Sequence, residues 1–230
     1  MADFLSGLPL FAVFLTIGTY QFGLWCHSKG KSALLNPILI SVALTIGILL
    51  LLGIPNEDYQ AGVSRISWLL TPATVCLALP LYQQMQVLKK SLRAILIGIA
   101  AGTVTSLVFI FVMCRVFALD DAITISLLPK SITTAMGLVL SANSGGIEAL
   151  TAVAIMITGN LGNIAGVMLC KLFGITDPIA QGVAFGTSSH VVGTSRATEL
   201  GSLQGAVSSL SLAVAGVLTA VLFPLILLFL

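Results

Sequence analysis

The residues between Gly186 and Gly201 carry the densest group of chemically active side chains in the sequence. The group combines hydroxyls with one histidine, one arginine and one glutamate: Thr187, Ser188, Ser189, His190, Thr194, Arg196 and Glu199. An arginine can bind a carboxylate through two parallel hydrogen bonds, and a histidine can exchange a proton near neutral pH. The stretch therefore predicts a binding site for a small anion. The alternative is an ordinary exposed loop in which Arg196 pairs with Glu199.

The stretch LLPKSITT contains a second group of polar side chains: Lys130, Ser131, Thr133 and Thr134. Proline has no N–H, so we expect a helix to break before Pro129 and a new one to begin at residues 129–131. The free N–H groups of that helix end, with Lys130 and the hydroxyls, would form a cradle for an anion. The alternative is that Lys130 extends to the membrane surface near Asp120 and Asp121.

Two asparagines in the apolar stretch ITGNLGN form a third candidate. Asn160 and Asn163 are three residues apart, so they share one face of a helix. Each amide both donates and accepts hydrogen bonds. They therefore either line a substrate path or bind a neighbouring helix.

The whole chain has the composition of a membrane protein. Of its 230 residues 57% are hydrophobic and 8% are charged, and the mean hydropathy is +1.11. Runs of about 20 apolar residues, long enough to cross a ~30 Å hydrocarbon core, recur along it. These runs are continuous, whereas the strands of a membrane β-barrel alternate. We therefore predict an all-α polytopic membrane protein with a single domain, residues 1–230.

Prolines and glycines interrupt several of these runs. We expect seven or eight transmembrane or re-entrant helices, with discontinuous helices near residues 71–81, 126–137 and 178–196. The first contains Pro72 and Pro80, and the last starts as an apolar helix of about eight residues before becoming polar. Such half-length helices are typical of re-entrant or broken spans, in which helix ends face a cavity.

The basic residues predict the orientation. The expected spans in the first half of the chain are residues 4–25, 34–54, 66–85 and 94–116, joined by loops. Lys29, Lys31, Lys89 and Lys90 would then lie in two cytoplasmic loops, because lysine and arginine are enriched on that side. The N-terminus is therefore expected in the periplasm.

Other classes of function are not favoured. A net charge of +2, with no basic stripe, does not indicate nucleic-acid binding. The four cysteines are far apart and form no C-x-x-C pair, so we expect no metal, disulfide or cofactor. Ser188, Ser189 and His190 lie downstream of Asp177, but neither a G-x-S-x-G nor an H-E-x-x-H motif is present. We therefore do not expect an enzyme.

Several stretches resemble the LrgB/CidB family of bacterial membrane proteins: LLPKSITTAMG, SGGIEALTAVAIMITGNLGN, DPIAQGVAFGTSSHVVGTSRATELG and GAVSSLSLAVAGVLTAVLFP. The resemblance covers most of the chain from about Thr71. It implies an inner-membrane protein that works in an oligomer with a small LrgA/CidA-type partner. The family motifs cover Lys130, Ser131, Thr133, Thr134, His190 and Arg196.

The resemblance leaves two main functions open. The family is linked to control of murein hydrolases and to holin-like behaviour, and some relatives are linked to transport of glycolate, glycerate or pyruvate. The leading hypothesis is a carrier for a small monocarboxylate. The alternatives are a non-transporting regulatory module and a nonspecific pore.

Overall fold

The computed structural model describes residues 9–30, 37–69, 72, 75–76 and 78–230. Regular secondary structure in these ranges is entirely helical. The chain divides into two compact units, residues 1–76 and 77–230. The first contains α1 (Pro9–Gly30), α2 (Pro37–Leu52) and α3 (Asn56–Ser67). The second contains α4 (Ala78–Gln83), α5 (Met85–Val116), α6 (Asp121–Leu127), α7 (Thr134–Asn143), α8 (Glu148–Leu172), α9 (Pro178–Leu200) and α10 (Ser202–Leu227).

The long helices confirm the predicted fold class. Within the described ranges, four helices are long and apolar enough to cross a membrane: α1, α5, α8 and α10. The helix α2 is apolar but shorter, with 16 residues. The protein is therefore an all-α, multi-pass membrane protein.

Hydroxyl groups join the helices of the first unit. The hydroxyl of Thr19 on α1 lies 3.0 Å from those of Ser41 and Thr45 on α2. Thr16 contacts the Tyr59 hydroxyl on α3 at 2.8 Å. Residues 56–65, expected in a loop, lie in α3; two acidic residues in its first turn stabilise that helix end. The expected span 66–85 and the break near 71–81 include residues 70, 71, 73, 74 and 77, which lie outside the described residues.

The helix α5 is longer than expected. It begins at Met85 rather than at residue 94, so Lys89 and Lys90 lie on its first turns and not in a loop. The reason is that Leu88 and Ile95 are both buried in one apolar cluster with α10. Burial of the face that carries Leu88 and Ile95 keeps the chain helical at Lys89 and Lys90, whose charges had indicated a loop.

The helices α5 and α10 run parallel and define the two ends of the second unit. At one end, here called side A, the Gln84 side chain donates to the Ser202 hydroxyl. At the other end, side B, Arg115 donates to the carbonyl oxygens of Phe229 and Leu230. The positions of the remaining helices are described relative to these sides.

The helices α6 and α7 form a re-entrant hairpin, here called hairpin 1, with its tip at residues 128–133. Its first arm starts on side B, where Asp121 pairs with Arg115 at 3.4 Å. Its tip lies beside Ser106, about 14 Å further along α5 toward side A. The second arm returns antiparallel, since Gly137 lies against Pro129.

The break predicted near residues 126–137 is confirmed, but the expected helix start at residues 129–131 is wrong. The tip continues as tight turns, with Lys130 N–H donating to Leu127 O and Ile132 N–H to Pro129 O. Only the extended backbone of Thr133 ends these turns. The helix therefore restarts at Thr134.

The two halves of α9 form a second re-entrant hairpin, hairpin 2, with its tip at Ser189 and His190. Both residues have non-helical backbone angles, and His190 has a φ of 41°. A straight helix would separate Phe185 and Gly193 by about 12 Å. A Cβ on Gly193 would instead lie 2.9 Å from the Phe185 carbonyl oxygen. The chain therefore reverses direction, which confirms the break predicted within residues 178–196.

Hairpin 2 enters from side A and returns to side A. In the first arm, Gln181 accepts a hydrogen bond from Gln204 near the start of α10. In the second arm, Thr194 contacts Ser208 and Thr198 lies against Gly205. The second arm therefore runs back along α10 toward the side from which the first arm entered.

The two hairpins have inverted topologies. The helix α5 ends on side B and is followed by a hairpin that enters from side B. The helix α8 runs in the opposite direction, because Gly166 contacts Phe185 while Gly162 contacts Ser189, and it is followed by a hairpin that enters from side A. Residues 85–143 and 148–200 thus form two inverted repeats of one span and one hairpin.

Candidate substrate site between the hairpin tips

The tip of hairpin 1 presents an amine inside the second unit. The Lys130 ammonium donates to the Ser131 hydroxyl at 3.4 Å, and that hydroxyl lies 3.3 Å from Ser106 on α5. Asp121, which Lys130 would approach at the surface, pairs with Arg115 instead. Thr133 precedes the first turn of α7 and makes no side-chain cap, so this helix end keeps free N–H groups.

The tip of hairpin 2 is fixed by its histidine. His190 is 4% exposed, and its Nε2–H donates to the carbonyl of Ile155 on α8 at 2.8 Å. Because a carbonyl only accepts, Nε2 carries the hydrogen. Thr187, just before this tip, and Ser131, at the tip of hairpin 1, line one cavity, so the two tips lie close together.

Two glycines of α8 make room for the tip of hairpin 2. A Cβ on Gly159 would lie 2.5 Å from Cε1 and Nε2 of His190, and a Cβ on Gly162 would overlap the Ser189 side chain. Any larger residue at either position would displace the tip. The positive φ of His190, which is rare outside glycine, persists because this packing holds it.

The two asparagines have different roles. Asn163 donates to the carbonyl of Val192 at 3.3 Å, so it binds hairpin 2. Asn160 donates to Met156 in its own helix. Its Oδ1 is buried and has no hydrogen-bond partner among the residues that the structure describes. Asn160 therefore offers a free acceptor next to Gly159 and the tip of hairpin 2.

A small cavity lies between α5, α10 and the two hairpins. The space open to the centre of a water molecule is about 10 Å³, which corresponds to about one water. Four apolar residues, Leu107, Leu128, Ile132 and Ala215, form part of its wall. Five hydroxyl residues form the rest: Thr103, Ser106, Ser131, Thr187 and Thr219.

The hydroxyl residues of hairpin 2 support its arms as well as its tip. Thr187, Ser188 and Thr194 donate to the carbonyls four residues earlier. Such bonds satisfy a hydroxyl inside a helix and keep the polar arms helical. Ser188 and Ser189 also contact each other at 2.9 Å. The break is consequently confined to two residues.

Arg196 and Glu199 lie apart from the tips. They form an ion pair at 2.6 Å on the second arm, and their side chains are 37% and 63% exposed. Arg196 lies about 9 Å beyond His190 along that arm, toward side A. The structure thus brings together Lys130, Ser131, Thr187 and His190. Substrate contacts by Arg196 and Glu199 stay a prediction, as do all the proposed substrate contacts.

Thr103, Ser106 and Thr219 were not among the residues singled out from the sequence. Thr103 and Ser106 are three residues apart, which places them on one face of α5. They follow Gly102, where a Cβ would lie 3.2 Å from the Thr187 hydroxyl. Two hydroxyls at helical spacing after a glycine were the signal available in the sequence.

Comparison with known proteins agrees with the sequence resemblance. The model of one protein family, described as LrgB-like family, matches residues 16–229. The uncharacterized protein YwbG of Bacillus subtilis is 34% identical over 222 residues, which cover 96% of this chain and 99% of that protein. The antiholin-like protein LrgB of Bacillus cereus strain B4264 is 35% identical, over 94% of this chain and 95% of its own length. No solved structure matches the chain significantly.

Proposed function

Because the chain belongs to the LrgB-like family and contains two opposed re-entrant hairpins, we propose that it is a membrane transporter component for small monocarboxylates. The meeting of the two hairpin tips inside the second unit is the observation on which this proposal depends. Inverted repeats with discontinuous helices are a common architecture of secondary transporters, with the substrate bound where the helices break.

The chemistry at the tips favours an anion. Lys130 is the one charged side chain at a hairpin tip within the described ranges; the other charges of the second unit lie near helix ends or on the arm that carries Arg196. The start of α7 adds a partial positive charge and uncapped N–H groups. A carboxylate of glycolate, glycerate or pyruvate would bind there, with hydroxyls nearby for its second oxygen substituent.

His190 suits a coupling role better than a catalytic one. Its Nε2–H is engaged by Ile155, and Asp177 caps the start of α9 through Ala180. Neither bond joins His190 to Asp177 or to a serine, as a catalytic triad would require, and in the proposed transporter His190 exchanges a proton. Neither a metal nor a cofactor enters this proposal.

The setting of the proposed transporter follows from the family and the charge distribution. We place it in the bacterial inner membrane, in an oligomer with a small LrgA/CidA-like membrane protein. Lys89 and Lys90 lie on side A, so we place side A in the cytoplasm. The periplasmic N-terminus is proposed separately, from the alternation of basic loops in the sequence.

The names of the relatives support a second candidate. Several relatives about 35% identical are named antiholin-like protein LrgB. A protein of this kind would regulate lysis or murein hydrolases by assembling with holin-like partners, without moving a solute itself. The hairpin architecture favours the transporter, and the names favour this regulatory module.

Uptake measurements separate the candidates. The purified chain is placed in liposomes, with and without its LrgA/CidA-like partner, and labelled glycolate and pyruvate are supplied. Saturable uptake that unlabelled substrate inhibits would establish the transporter. Voltage-driven flux of unrelated solutes would indicate a pore, and no flux under any condition would favour the regulatory module.

A further inference from the structure

Thr103 has an unusual position for a threonine in a membrane helix. Its side chain is 3% exposed and lines the hydroxyl cavity. Its Oγ1 has no hydrogen-bond partner within the part of the chain that the structure describes. Other buried threonines of this unit, such as Thr124 and Thr194, donate to the carbonyl four residues earlier. A buried hydroxyl without a partner is unfavourable, so the site favours a ligand that would bind it.

The cavity determines what kind of atom would bind to Thr103. Its wall combines neutral hydroxyls with apolar side chains and contains no ionised group. Its size fits a single oxygen atom with its hydrogen, and hydroxyls both donate and accept. The cavity therefore fits a neutral oxygen, that of an alcohol, a ketone or a water molecule, and not a carboxylate.

A charge lies at the edge of the same cavity. The Lys130 ammonium is 3.4 Å from the Ser131 hydroxyl, which lines the cavity. A carboxylate held by Lys130 would therefore place the substituent on its neighbouring carbon close to the cavity. An acid with an oxygen on that carbon would fill it with a hydrogen-bonding atom, whereas acetate would not.

We propose that Thr103 is a specificity-determining residue that recognises the oxygen on the 2-carbon of a 2-hydroxy or 2-oxo monocarboxylate. This inference rests on the proposed function and assigns one residue to the recognition of its substrates. Glycolate and pyruvate should bind well, and acetate should bind weakly because it leaves the Thr103 hydroxyl unpaired. Sites built to bind a substrate hydroxyl reject analogues that lack it, for the same reason.

The test compares Thr103→Val with the parent chain. Valine has the shape of threonine without the hydroxyl, and no hydrogen bond to a described residue is lost on its introduction. The parent should prefer glycolate to acetate, and Thr103→Val should reduce that preference by roughly 5- to 100-fold, chiefly through weaker glycolate binding. Thr124→Val is the control for removal of a buried threonine hydroxyl. It loses the bond to the Asp120 carbonyl, but Thr124 lies outside the cavity, so the preference should not change.

Two readouts keep this inference distinct from the proposed function. Ligand-induced thermal stabilisation in detergent measures binding, and competition against labelled glycolate uptake in liposomes measures transport. Binding without uptake, with the preference lost in Thr103→Val, would support the inference and count against transport. An unchanged preference in Thr103→Val would overturn the inference while leaving transport intact. Absence of both binding and uptake would overturn both.

Discussion

His190 and Ile155 connect the two hairpins. The Nε2–H of His190, at the tip of hairpin 2, donates to the Ile155 carbonyl at 2.8 Å. The side chain of the same Ile155 packs against Gly137, near the start of the second arm of hairpin 1. One residue of α8 thus contacts both re-entrant segments, through its backbone on one side and its side chain on the other. A movement of either hairpin would therefore change a contact of α8.

Gly159 should be essential to this arrangement. In Gly159→Ala the new methyl would lie 2.5 Å from the His190 ring. We expect the tip to shift at a cost of about 1–3 kcal/mol, as overpacking typically produces, and the unfolding temperature in detergent to fall. Gly47→Ala is the control, since no atom lies within 4 Å of a Cβ there. Equal unfolding temperatures for the two variants would contradict this packing.

His190 should set the pH dependence of flux. His190→Gln retains a donor for the Ile155 carbonyl but removes the ring, which ordinarily titrates between about pH 5 and 8. We expect the variant to remain folded and its uptake rate to vary less across that range than the parent's. The measurement is initial uptake at several pH values, at matched protein density in liposomes. Identical pH profiles would exclude proton exchange at His190.

The sequence predicted the class of fold and the places where helices break, because both depend on local signals. Apolar runs require membrane spans, and Pro129 removes a backbone donor. The reversal at Ser189 and His190 could not be predicted in detail. Thr187 and Thr194, on either side of it, donate their hydroxyls to backbone carbonyls and so stabilise a helix. The direction of the turn depends on Gly159 and Gly162, which lie in another helix.

Site residues were predictable where they broke an apolar pattern with charge or dense polarity. Lys130 and His190 met that condition, and the structure places them at opposing tips. Thr103 did not, because a threonine in an apolar span normally satisfies its hydroxyl within its own helix. Only the three-dimensional structure shows that this hydroxyl has no described partner.

Lys130 should provide most of the charge that binds the substrate. Lys130→Gln removes this charge, and we expect glycolate affinity to fall by roughly 10- to 100-fold, as for loss of a hydrogen bond to a charged group. Lys130→Arg keeps the charge, so its glycolate affinity should fall less than that of Lys130→Gln. Lys171→Gln is the control, because Lys171 is exposed at the end of α8. Competition against labelled glycolate would give the affinities; similar values for Lys130→Gln and Lys171→Gln would remove Lys130 from the site.

The topology offers the most direct test of the two hairpins. Single cysteines replace Thr176 and Ser202, which flank hairpin 2, or Asp120 and Asn143, which flank hairpin 1; all four residues are exposed. The background chain lacks the native cysteines, Cys26, Cys76, Cys114 and Cys170. Because each hairpin returns to its own side, both members of a pair should react alike with an impermeant thiol reagent.

The proposed orientation also predicts which of the two pairs is labelled from outside the cell. In intact cells, positions 120 and 143 should be labelled, while 176 and 202 should be protected until the membrane is opened, because the basic first turns of α5 lie on side A. A cysteine at Lys29, predicted to be cytoplasmic, should be protected as well. Opposite labelling of 176 and 202 would mean that α9 crosses the membrane, and the re-entrant hairpin would be wrong. Labelling of 176 and 202 with protection of 120 and 143 would keep both hairpins but invert the protein.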